Sequence, residues 1–243
     1  PPTRRPDLGN ASGGSNMTTE APSGSTAIVL LGGETVDIPP LGTIPADSLV
    51  VAADSGVEVA QLLGLKVDVV VGDMDSISPT ALSALRALGT EVVRHPADKS
   101  ESDAELALRF VRDRGVRRVI LVGGGGGRLD HQLALFAVMF IDELRDARVE
   151  ARLARSRAYA VRDGATISIA CELGDNVGLL PFGGDAHEVT TSGLQWALSN
   201  DSLRVAASRG ISNRAISTNV RVSVGSGRLI VTVDSANVQG VAS

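Results

Sequence analysis

The sequence is poor in residue types on which several classes of protein depend. Its single cysteine, Cys171, allows no internal disulfide and no cysteine-based zinc site, and it is typical of a reducing compartment such as the cytoplasm. The net charge is −5, and no basic patch is interleaved with aromatic residues, which make up only 2% of the chain. We therefore expect no nucleic-acid partner. The longest apolar run, 133–141, is too short to cross a bilayer, so we expect no membrane partner either.

What the 243 residues do contain is ample apolar sequence, 43%, for a sizeable core. Residues 1–25 are rich in Pro, Gly, Ser and Thr and lack apolar periodicity, which predicts a disordered leader. Over 26–155, short apolar runs alternate with helical patterns, and this predicts an α/β domain with a doubly wound, mostly parallel sheet. Helical periodicity then disappears, so 156–243 is predicted to be an all-β sandwich or barrel.

Two local patterns make sharper predictions. The runs 220–224 and 229–233 flank Gly225-Ser226-Gly227, and this arrangement predicts a β-hairpin. Residues 130–145 have helical spacing with an apolar stripe, which predicts an amphipathic helix. The stripe consists of Leu129, Leu133, Phe136, Ala137 and Phe140.

Polar or glycine residues follow four successive strands of the predicted sheet. Gly72, Asp73 and Asp75 come directly after the β-branched run 69–71. Two carboxylates this close cannot both be ionised unless a cation or the positive end of a helix lies near them. Three further strand ends carry Asp54, Asp98 and the run Gly123–Gly127 with Arg128 and Asp130. Because the carboxyl ends of parallel strands meet at one edge of a sheet, these residues are expected to share one crevice.

Two helices of this region have recognisable N-termini. Ser78 and Pro79 are an N-cap followed by proline in the first turn. Ser102 and Glu105 have the spacing of a capping box, which is a structural device. Asp103 lies between them, where a carboxylate could serve the helix terminus, the crevice or both.

The glycine run is suited to binding phosphate. Glycines let backbone N–H groups approach an anion, and the run leads into a helix N-terminus. Gly125, Gly126 and Gly127 are the candidate cradle, and Arg128 adds a guanidinium fork. The run is neither a P-loop nor a G-x-G-x-x-G motif, and a flexible turn is the alternative interpretation. Together with the aspartates, it predicts Mg²⁺ and a polyphosphate as ligands.

Five short motifs, in order, resemble those of the thiamin pyrophosphokinase family, and the similarity extends over about residues 27–234. Gly72–Ser76 resembles its G-D-F-D-S, Asp98–Glu105 its D-x-x-x-T-D-x-E, Gly127–His131 its G-R-x-D-H, Gly193–Trp196 its G-L-K-W, and Ser212-Asn213 its S-N.

The resemblance implies a reaction: the hydroxyl of thiamin attacks the β-phosphorus of ATP, diphosphate moves as a unit, and AMP leaves. It implies Asp73, Asp75 and Asp103 as catalytic carboxylates, with Asp73, Asp75 and Asp98 holding Mg²⁺. The nucleotide side is then formed by Asp54, Gly125, Gly126, Gly127, Arg128 and Asp130.

The resemblance also implies a cytoplasmic homodimer in which the thiamin site forms between the α/β domain of one subunit and the β domain of the other. Trp196, the only tryptophan, would stack on the cationic ring of thiamin. Thr191, Ser212 and Asn213 would supply polar contacts. From the residues alone, the alternative for Trp196 is a core anchor, and the alternative for Ser212-Asn213 is a turn.

The sequence departs from the family at one motif. The family's D-G-G-A-N stands here as Asp54-Ser55-Gly56-Val57-Glu58. The extra side chain at Ser55 and the charge at Glu58 affect the nucleotide side more than the reaction. Two alternatives stay open: a diphosphokinase for another hydroxymethyl heterocycle, such as a pterin, and a non-catalytic protein that binds thiamin or nucleotide.

Overall fold

Strands and helices alternate through the first part of the chain, as the sequence predicts. The computed structural model describes residues 26–33, 44–125 and 128–236, so the predicted leader lies outside the described residues. The elements are β1 (Thr26–Leu31), β2 (Leu49–Ala53), α1 (Gly56–Leu63), β3 (Val69–Gly72), α2 (Pro79–Ala87), β4 (Glu91–Arg94), α3 (Asp103–Asp113), β5 (Arg118–Gly123), α4 (Leu129–Val138), a 3-10 helix (Asp142–Leu144) and β6 (Arg148–Leu153).

The second part of the described chain consists of strands. They are β7 (Ser156–Val161), β8 (Thr166–Ala170), β9 (Asn176–Pro181), β10 (Ala186–Ser192), β11 (Asp201–Leu203), β12 (Asn213–Arg214), β13 (Asn219–Ser223) and β14 (Leu229–Asp234). They form two packed layers with a core of their own between them, which includes Val161, Ile169, Val189, Val220 and Val231. The predicted α/β region followed by a β-sandwich is thus confirmed.

One sheet runs through both parts. Its order is β12-β9-β14-β7-β6-β5-β1-β2-β3-β4, with parallel pairing from β6 to β4 and antiparallel pairing from β6 to β12. A second sheet, β11-β10-β13-β8, covers the antiparallel end. In the parallel part, the chain adds β2, β3 and β4 in turn on one side of β1. It then crosses over and adds β5 and β6 on the other side. The direction of winding therefore reverses between β1 and β5, where ligands bind in sheets of this kind.

The helices lie on both faces of the parallel strands. Alternate residues of β1 point to opposite faces, so that Ile28 packs in the core beside α1 and α2 while Val29 packs in the core beside α3 and α4. The predicted helix starts are confirmed. Ser78 Oγ accepts from the N–H of Ala81, and Ser102 Oγ accepts from the N–H of Glu105 at 3.2 Å each.

Two local predictions differ from the structure. The predicted hairpin is wrong: β13 pairs with β8 and β10 in one sheet, whereas β14 pairs with β7 and β9 in the other. Gly227, with φ of 95°, lies where a Cβ would collide with the backbone of the 185–186 segment, so the glycines carry the chain between layers. The apolar stripe of α4 is only partly buried, because Leu129 and Leu133 are exposed.

Candidate active site

Asp54 begins the site at the carboxyl end of β2. Its φ of 43° is unusual for a residue other than glycine, and it turns the chain directly into α1. The backbone N–H donates to the carbonyl of Val71 on the neighbouring strand at 2.9 Å. Ser76 Oγ donates to Oδ2 of Asp54, whereas Oδ1 is buried and has no hydrogen-bond partner among the described residues. A buried carboxylate oxygen that lacks a hydrogen-bond donor is free to accept a ligand such as a metal ion.

Asp73 and Asp75 follow β3, beside Asp54. Met74 between them is buried and has φ of 68°, so the loop turns its apolar residue inward and leaves both carboxylates at the edge of the sheet. The N–H of Asp75 donates to Oδ1 of Asp73 at 3.1 Å. Carboxylate oxygens of Asp54, Asp73 and Asp75 lie within 4.8 Å of one another, and we call these three residues the aspartate cluster.

The charges of the aspartate cluster are poorly compensated. The hydrogen bond from the backbone N–H of Asp75 and the charge of Lys99 lower the pKa of Asp73, although partial burial opposes them. The negative charge of Asp73, partial desolvation and the charge of Asp54 raise the pKa of Asp75. Repulsion of this kind is relieved by a cation placed between the carboxylates.

The donor set of the aspartate cluster fits a hard divalent cation. It offers only oxygen ligands, which Mg²⁺ prefers, and three carboxylates leave room for the phosphate oxygens with which Mg²⁺ is usually shared. The unpartnered Oδ1 of Asp54 supports this fit from the structure itself.

Asp98, which the sequence analysis places with the metal, does not join the cluster. It is exposed in the loop between β4 and α3 and is absent from the group of carboxylates that lie within 4.8 Å. Asp54, expected on the nucleotide side, supplies the third carboxylate instead. Both residues follow a strand that pairs with β3, but Asp54 comes directly after β2, whereas Asp98 lies in the loop beyond the end of β4.

Asp103 and Lys99 lie beside the aspartate cluster. Asp103 is the first residue of α3, and Lys99 Nζ lies 2.9 Å from its Oδ1 and 3.6 Å from Oδ2 of Asp73. Burial alone would lower the pKa of Lys99, but the hydrogen bond and charge of Asp103 and the charge of Asp73 raise it. Gly72 allows the approach, since a Cβ there, at φ of 151°, would lie 3.1 Å from both Asp103 Oδ1 and Asp54 Cβ.

The loops after β1 and β5 meet where the winding reverses. A Cβ at Gly33, with φ of 139°, would lie 3.3 Å from the carbonyl oxygen of Gly125, so the two glycine segments are in close contact. A Cβ at Gly32 would collide with the side chain of Ser55. The extra side chain of the Asp54-Ser55-Gly56 segment therefore packs against the end of β1. Gly126 and Gly127, predicted in the phosphate cradle, lie outside the described residues.

Arg128 and Asp130 pair with each other at the start of α4. Arg128 Nε and Nη2 donate to the two carboxylate oxygens of Asp130 at 3.1 and 2.6 Å, and both side chains are exposed. This pairing raises the pKa of Arg128 and lowers that of Asp130. The guanidinium fork thus already binds a pair of oxygens in the geometry that a phosphate would offer.

Trp196 lies in the loop after β10, and its side chain is 57% exposed. The interpretation of Trp196 as a core anchor is therefore wrong. Asn213 holds the loop: its Oδ1 accepts from the N–H of Trp196 at 3.0 Å, and its Nδ2 donates to the carbonyl of Trp196 at 2.7 Å. Thr191 Oγ1 accepts from the N–H of Leu198 at 2.9 Å. The polar groups of Asn213 and Thr191 thus fix the loop that carries the indole.

The surroundings of Trp196 include apolar side chains open to solvent. Ile211 and Ile216, on either side of β12, are more than half exposed. Gln195 donates its N–H to the carbonyl of Arg214, so the Trp196 loop runs alongside β12. Ser212, predicted to contact substrate, is exposed and has φ of 59°, as expected for a residue in a tight turn.

Sequence reasoning missed three contributors to the site. Gly32 and Gly33 follow β1 and form the other side of the glycine contact; two glycines after a buried strand were the available signal. Ser76 ends the G-D-M-D-S motif and donates to Asp54. Lys99, one of two lysines in the chain, stands within the D-x-x-x-S-D-x-E motif at a position without a specified residue type.

Two family models match the chain. The thiamin pyrophosphokinase catalytic domain matches residues 43–150, and the thiamin pyrophosphokinase vitamin B1 binding domain matches residues 165–229. Together the two matches cover more than half of the chain. None of the helices within the described residues is long and apolar enough to cross a membrane.

Curated relatives carry the same family name. Thiamine pyrophosphokinase 1 of Arabidopsis thaliana is 29% identical over 151 residues, which are 57% of this chain and 55% of the relative. The chain thus spans about half the length of this plant relative. The thiamine pyrophosphokinase of Bacillus subtilis (strain 168) is 23% identical over 207 residues, 85% of this chain and 97% of the relative.

Solved structures share the fold. The crystal structure of the Bacillus subtilis thiamine pyrophosphokinase superposes with a TM-score of 0.76 at 22% identity, over 87% of this chain and 99% of that chain. The yeast enzyme superposes with a TM-score of 0.71 at 16% identity, over 87% of this chain and 86% of that chain.

Proposed function

Because the chain belongs to the thiamin pyrophosphokinase family, we propose that it is a thiamin diphosphokinase. It transfers diphosphate from ATP to the hydroxyl of thiamin in the presence of Mg²⁺ and yields thiamin diphosphate and AMP. The observation that carries the proposal is the aspartate cluster, in which three carboxylates converge at the carboxyl edge of the sheet and one buried oxygen has no hydrogen-bond partner within the described part of the chain. Such a cluster suits the charge of a polyphosphate bound through Mg²⁺.

In this proposal Asp54, Asp73 and Asp75 hold Mg²⁺, which when bound neutralises phosphate oxygens of ATP. Asp73, Asp75 and Asp103 are the catalytic carboxylates. The glycine segments after β1 and β5 provide close backbone approach to the phosphates, and Arg128 exchanges its contact with Asp130 for phosphate oxygens. Transfer of this kind needs positioning and charge neutralisation more than a covalent nucleophile.

The thiamin side of the site is proposed at Trp196. An exposed indole on a loop whose backbone is fixed by Asn213 and Thr191 offers a rigid aromatic face to a cationic heterocycle. Ser212 lies in the adjoining turn and supplies a hydroxyl. We place the reaction in the cytoplasm, where the buried thiol of Cys171 would stay reduced.

We further propose that the working unit is a homodimer. Asn213, which holds the Trp196 loop, is on β12 at one end of the ten-stranded sheet, whereas Asp54 follows β2 near the other end. Seven strand spacings of about 4.8 Å each separate the two by roughly 34 Å. A thiamin molecule cannot contact both within one subunit. The aspartates of one subunit would therefore act with Trp196 of a second.

The direct test is an assay of the purified protein with thiamin, ATP and Mg²⁺, with thiamin diphosphate and AMP measured by chromatography. We expect equimolar amounts of the two products and their loss when EDTA removes the metal. A hydroxymethylpterin run in parallel addresses the alternative acceptor. Turnover of the pterin alone would replace thiamin as the substrate, and binding of thiamin and nucleotide without product would indicate a non-catalytic protein.

The shared site has a separate test by complementation. Asp73→Asn and Trp196→Ala impair different halves of the proposed site when thiamin is kept well below its KM, where the rate reports the loss of affinity as well as the loss of turnover. Mixed dimers therefore contain one intact site, and equal mixing should restore roughly a quarter of the wild-type rate. Each variant alone is the control. Rates that merely average those of the two variants would contradict a site shared between subunits.

A further inference from the structure

Lys99 is a nearly buried cation within the acidic site. Its side chain is 12% exposed, although lysine is among the residue types least often buried without a partner. Its ammonium nitrogen lies 2.9 Å from Oδ1 of Asp103 and 3.6 Å from Oδ2 of Asp73. The lysine thus bridges the first turn of α3 and the loop after β3.

The two contacts of Lys99 differ in what they do. Asp103 belongs to a helix that Ser102 caps, and it lies outside the aspartate cluster. Asp73 belongs to the cluster. When Asp73 serves as a metal ligand, the metal neutralises its charge, and its attraction for the ammonium falls accordingly. The contact with Asp103 is unaffected by this change, so the ammonium stays in the crevice with capacity for a new acceptor.

Lysine is suited to such an exchange. Its ammonium carries three donors on a flexible four-carbon stem, so a small rotation moves the charge without moving the backbone. The acceptors that enter the crevice under the proposed function are phosphate oxygens, for which lysine acts as a point charge.

We propose that Lys99 contacts the phosphates of the nucleotide: its ammonium passes from Asp73 to the diphosphate portion of ATP, while Asp103 keeps it in position. This inference rests on the proposed function, since it takes ATP as the ligand. It makes Lys99 a substrate-contacting residue and Asp103 the residue that positions it.

Calorimetry with a non-hydrolysable ATP analogue and with AMP, both in Mg²⁺, tests the inference without thiamin or turnover. Lys99→Met should weaken binding of the analogue roughly ten- to a hundredfold, the effect of a lost charge-assisted hydrogen bond, and should leave AMP within about twofold. Lys99→Arg, which keeps the charge, should retain most of the affinity. Lys66→Met is the matched control, because Lys66 is the only other lysine and is exposed before the amino end of β3.

A purely structural lysine predicts a different pattern. Lys99→Met would then weaken both ligands equally, or neither, and either result would overturn the inference. Lys99→Gln, which removes the charge but keeps a polar head, serves the same comparison where the methionine variant fails to fold. Titration with Mg²⁺ alone gives a second readout: without the competing ammonium, Asp73 should bind the metal at least as tightly, and weaker binding would overturn the exchange.

Failure of this inference is distinguishable from failure of the proposed function. If wild-type protein forms thiamin diphosphate but the ratio of analogue to AMP affinity is unchanged in Lys99→Met and Lys99→Gln, the inference alone is wrong. If no thiamin diphosphate forms but the ratio falls as expected, the role of Lys99 stands and the acceptor must be sought elsewhere.

Discussion

The aspartate cluster and the Trp196 loop are built in opposite ways. In the cluster, carboxylates face one another, and repulsion raises the pKa of Asp75. A buried oxygen of Asp54 has no hydrogen-bond partner among residues 26–33, 44–125 and 128–236. In the Trp196 loop, the amide of Asn213 satisfies both the N–H and the carbonyl of Trp196, and the unsatisfied feature is the exposed indole. The aspartate cluster therefore has negative charge that is not fully compensated, whereas the Trp196 loop has an apolar surface that is not covered.

The difference indicates what each region is organised to bind. Uncompensated carboxylates that share a crevice are completed by cations, and through them by phosphates. A rigid exposed aromatic face is completed by a flat, preferably cationic, ring. Variants should therefore separate the two regions: changes at the cluster should act on turnover, and changes at the loop should act on the apparent affinity for thiamin.

The largest effect is expected for Asp73→Asn. It removes the charge at the centre of the aspartate cluster, so kcat should fall on the order of a hundred- to a thousandfold. The unfolding temperature should change little, because relief of the repulsion from Asp75 is offset by loss of the attraction to Lys99 and by a weaker hydrogen bond from the N–H of Asp75. Steady-state kinetics and thermal unfolding of the same preparation measure both. A rate equal to that of the wild type would remove Asp73 from the site.

A smaller effect, on affinity, is expected for Trp196→Ala. Loss of a cation–π contact with thiamin should raise the KM for thiamin about tenfold and leave the KM for ATP unchanged. Because the indole is mostly exposed, the unfolding temperature should hardly change. Trp196→Phe keeps an aromatic face, so its KM for thiamin should lie between those of the wild type and Trp196→Ala. An equal rise in both KM values would show that the loop acts on the whole site rather than on the vitamin.

Asn213→Ala tests whether the loop must be held in place. The buried amide makes three hydrogen bonds, two to Trp196 and one from the N–H of Arg214, and its loss should lower the free energy of unfolding by about 1–3 kcal/mol. The KM for thiamin should rise with it, since the indole loses its orientation. Asn219→Ala, at an exposed position of β13, is the control. If stability falls but the KM for thiamin is unchanged, then the orientation of the Trp196 loop by Asn213 does not matter for thiamin binding.

Much of the fold is readable from the sequence because its signals are local. Alternation of short β-branched runs with capped helices, such as the one that begins at Ser78, indicates a doubly wound sheet. The predicted hairpin around Gly225–Gly227 was wrong for a physical reason. A glycine turn permits pairing of its flanking strands but does not require it, and here burial in two different layers decides the pairing. The domain boundary near residue 155 stays a prediction, since one sheet continues from β6 to β7.

For the site, the sequence predicts which residues lie at the carboxyl ends of the strands, but not which of them come into contact. That Asp54, Asp73 and Asp75 lie on one edge follows from parallel pairing. Which other carboxylate approaches Asp73 and Asp75 depends on loop conformation rather than on strand order, because β2 and β4 both lie next to β3 in the sheet. The exposure of Leu129 and Leu133 was likewise beyond the sequence, because helical spacing shows that a stripe exists but not what covers it.

The smallest effect is expected for Asp98→Asn, and it sharpens the assignment of the third metal ligand. Asp98 and Asp54 both follow a strand, but Asp98 is exposed and lies outside the aspartate cluster. Asp98→Asn should therefore keep kcat and Mg²⁺ dependence within about twofold, as for a surface substitution. Asp54→Asn should shift the Mg²⁺ dependence strongly, because it removes one of the three carboxylates of the aspartate cluster. Equal losses in the two variants would mean that the loop before α3 moves toward the cluster when the metal binds, which would return Asp98 to the ligand set.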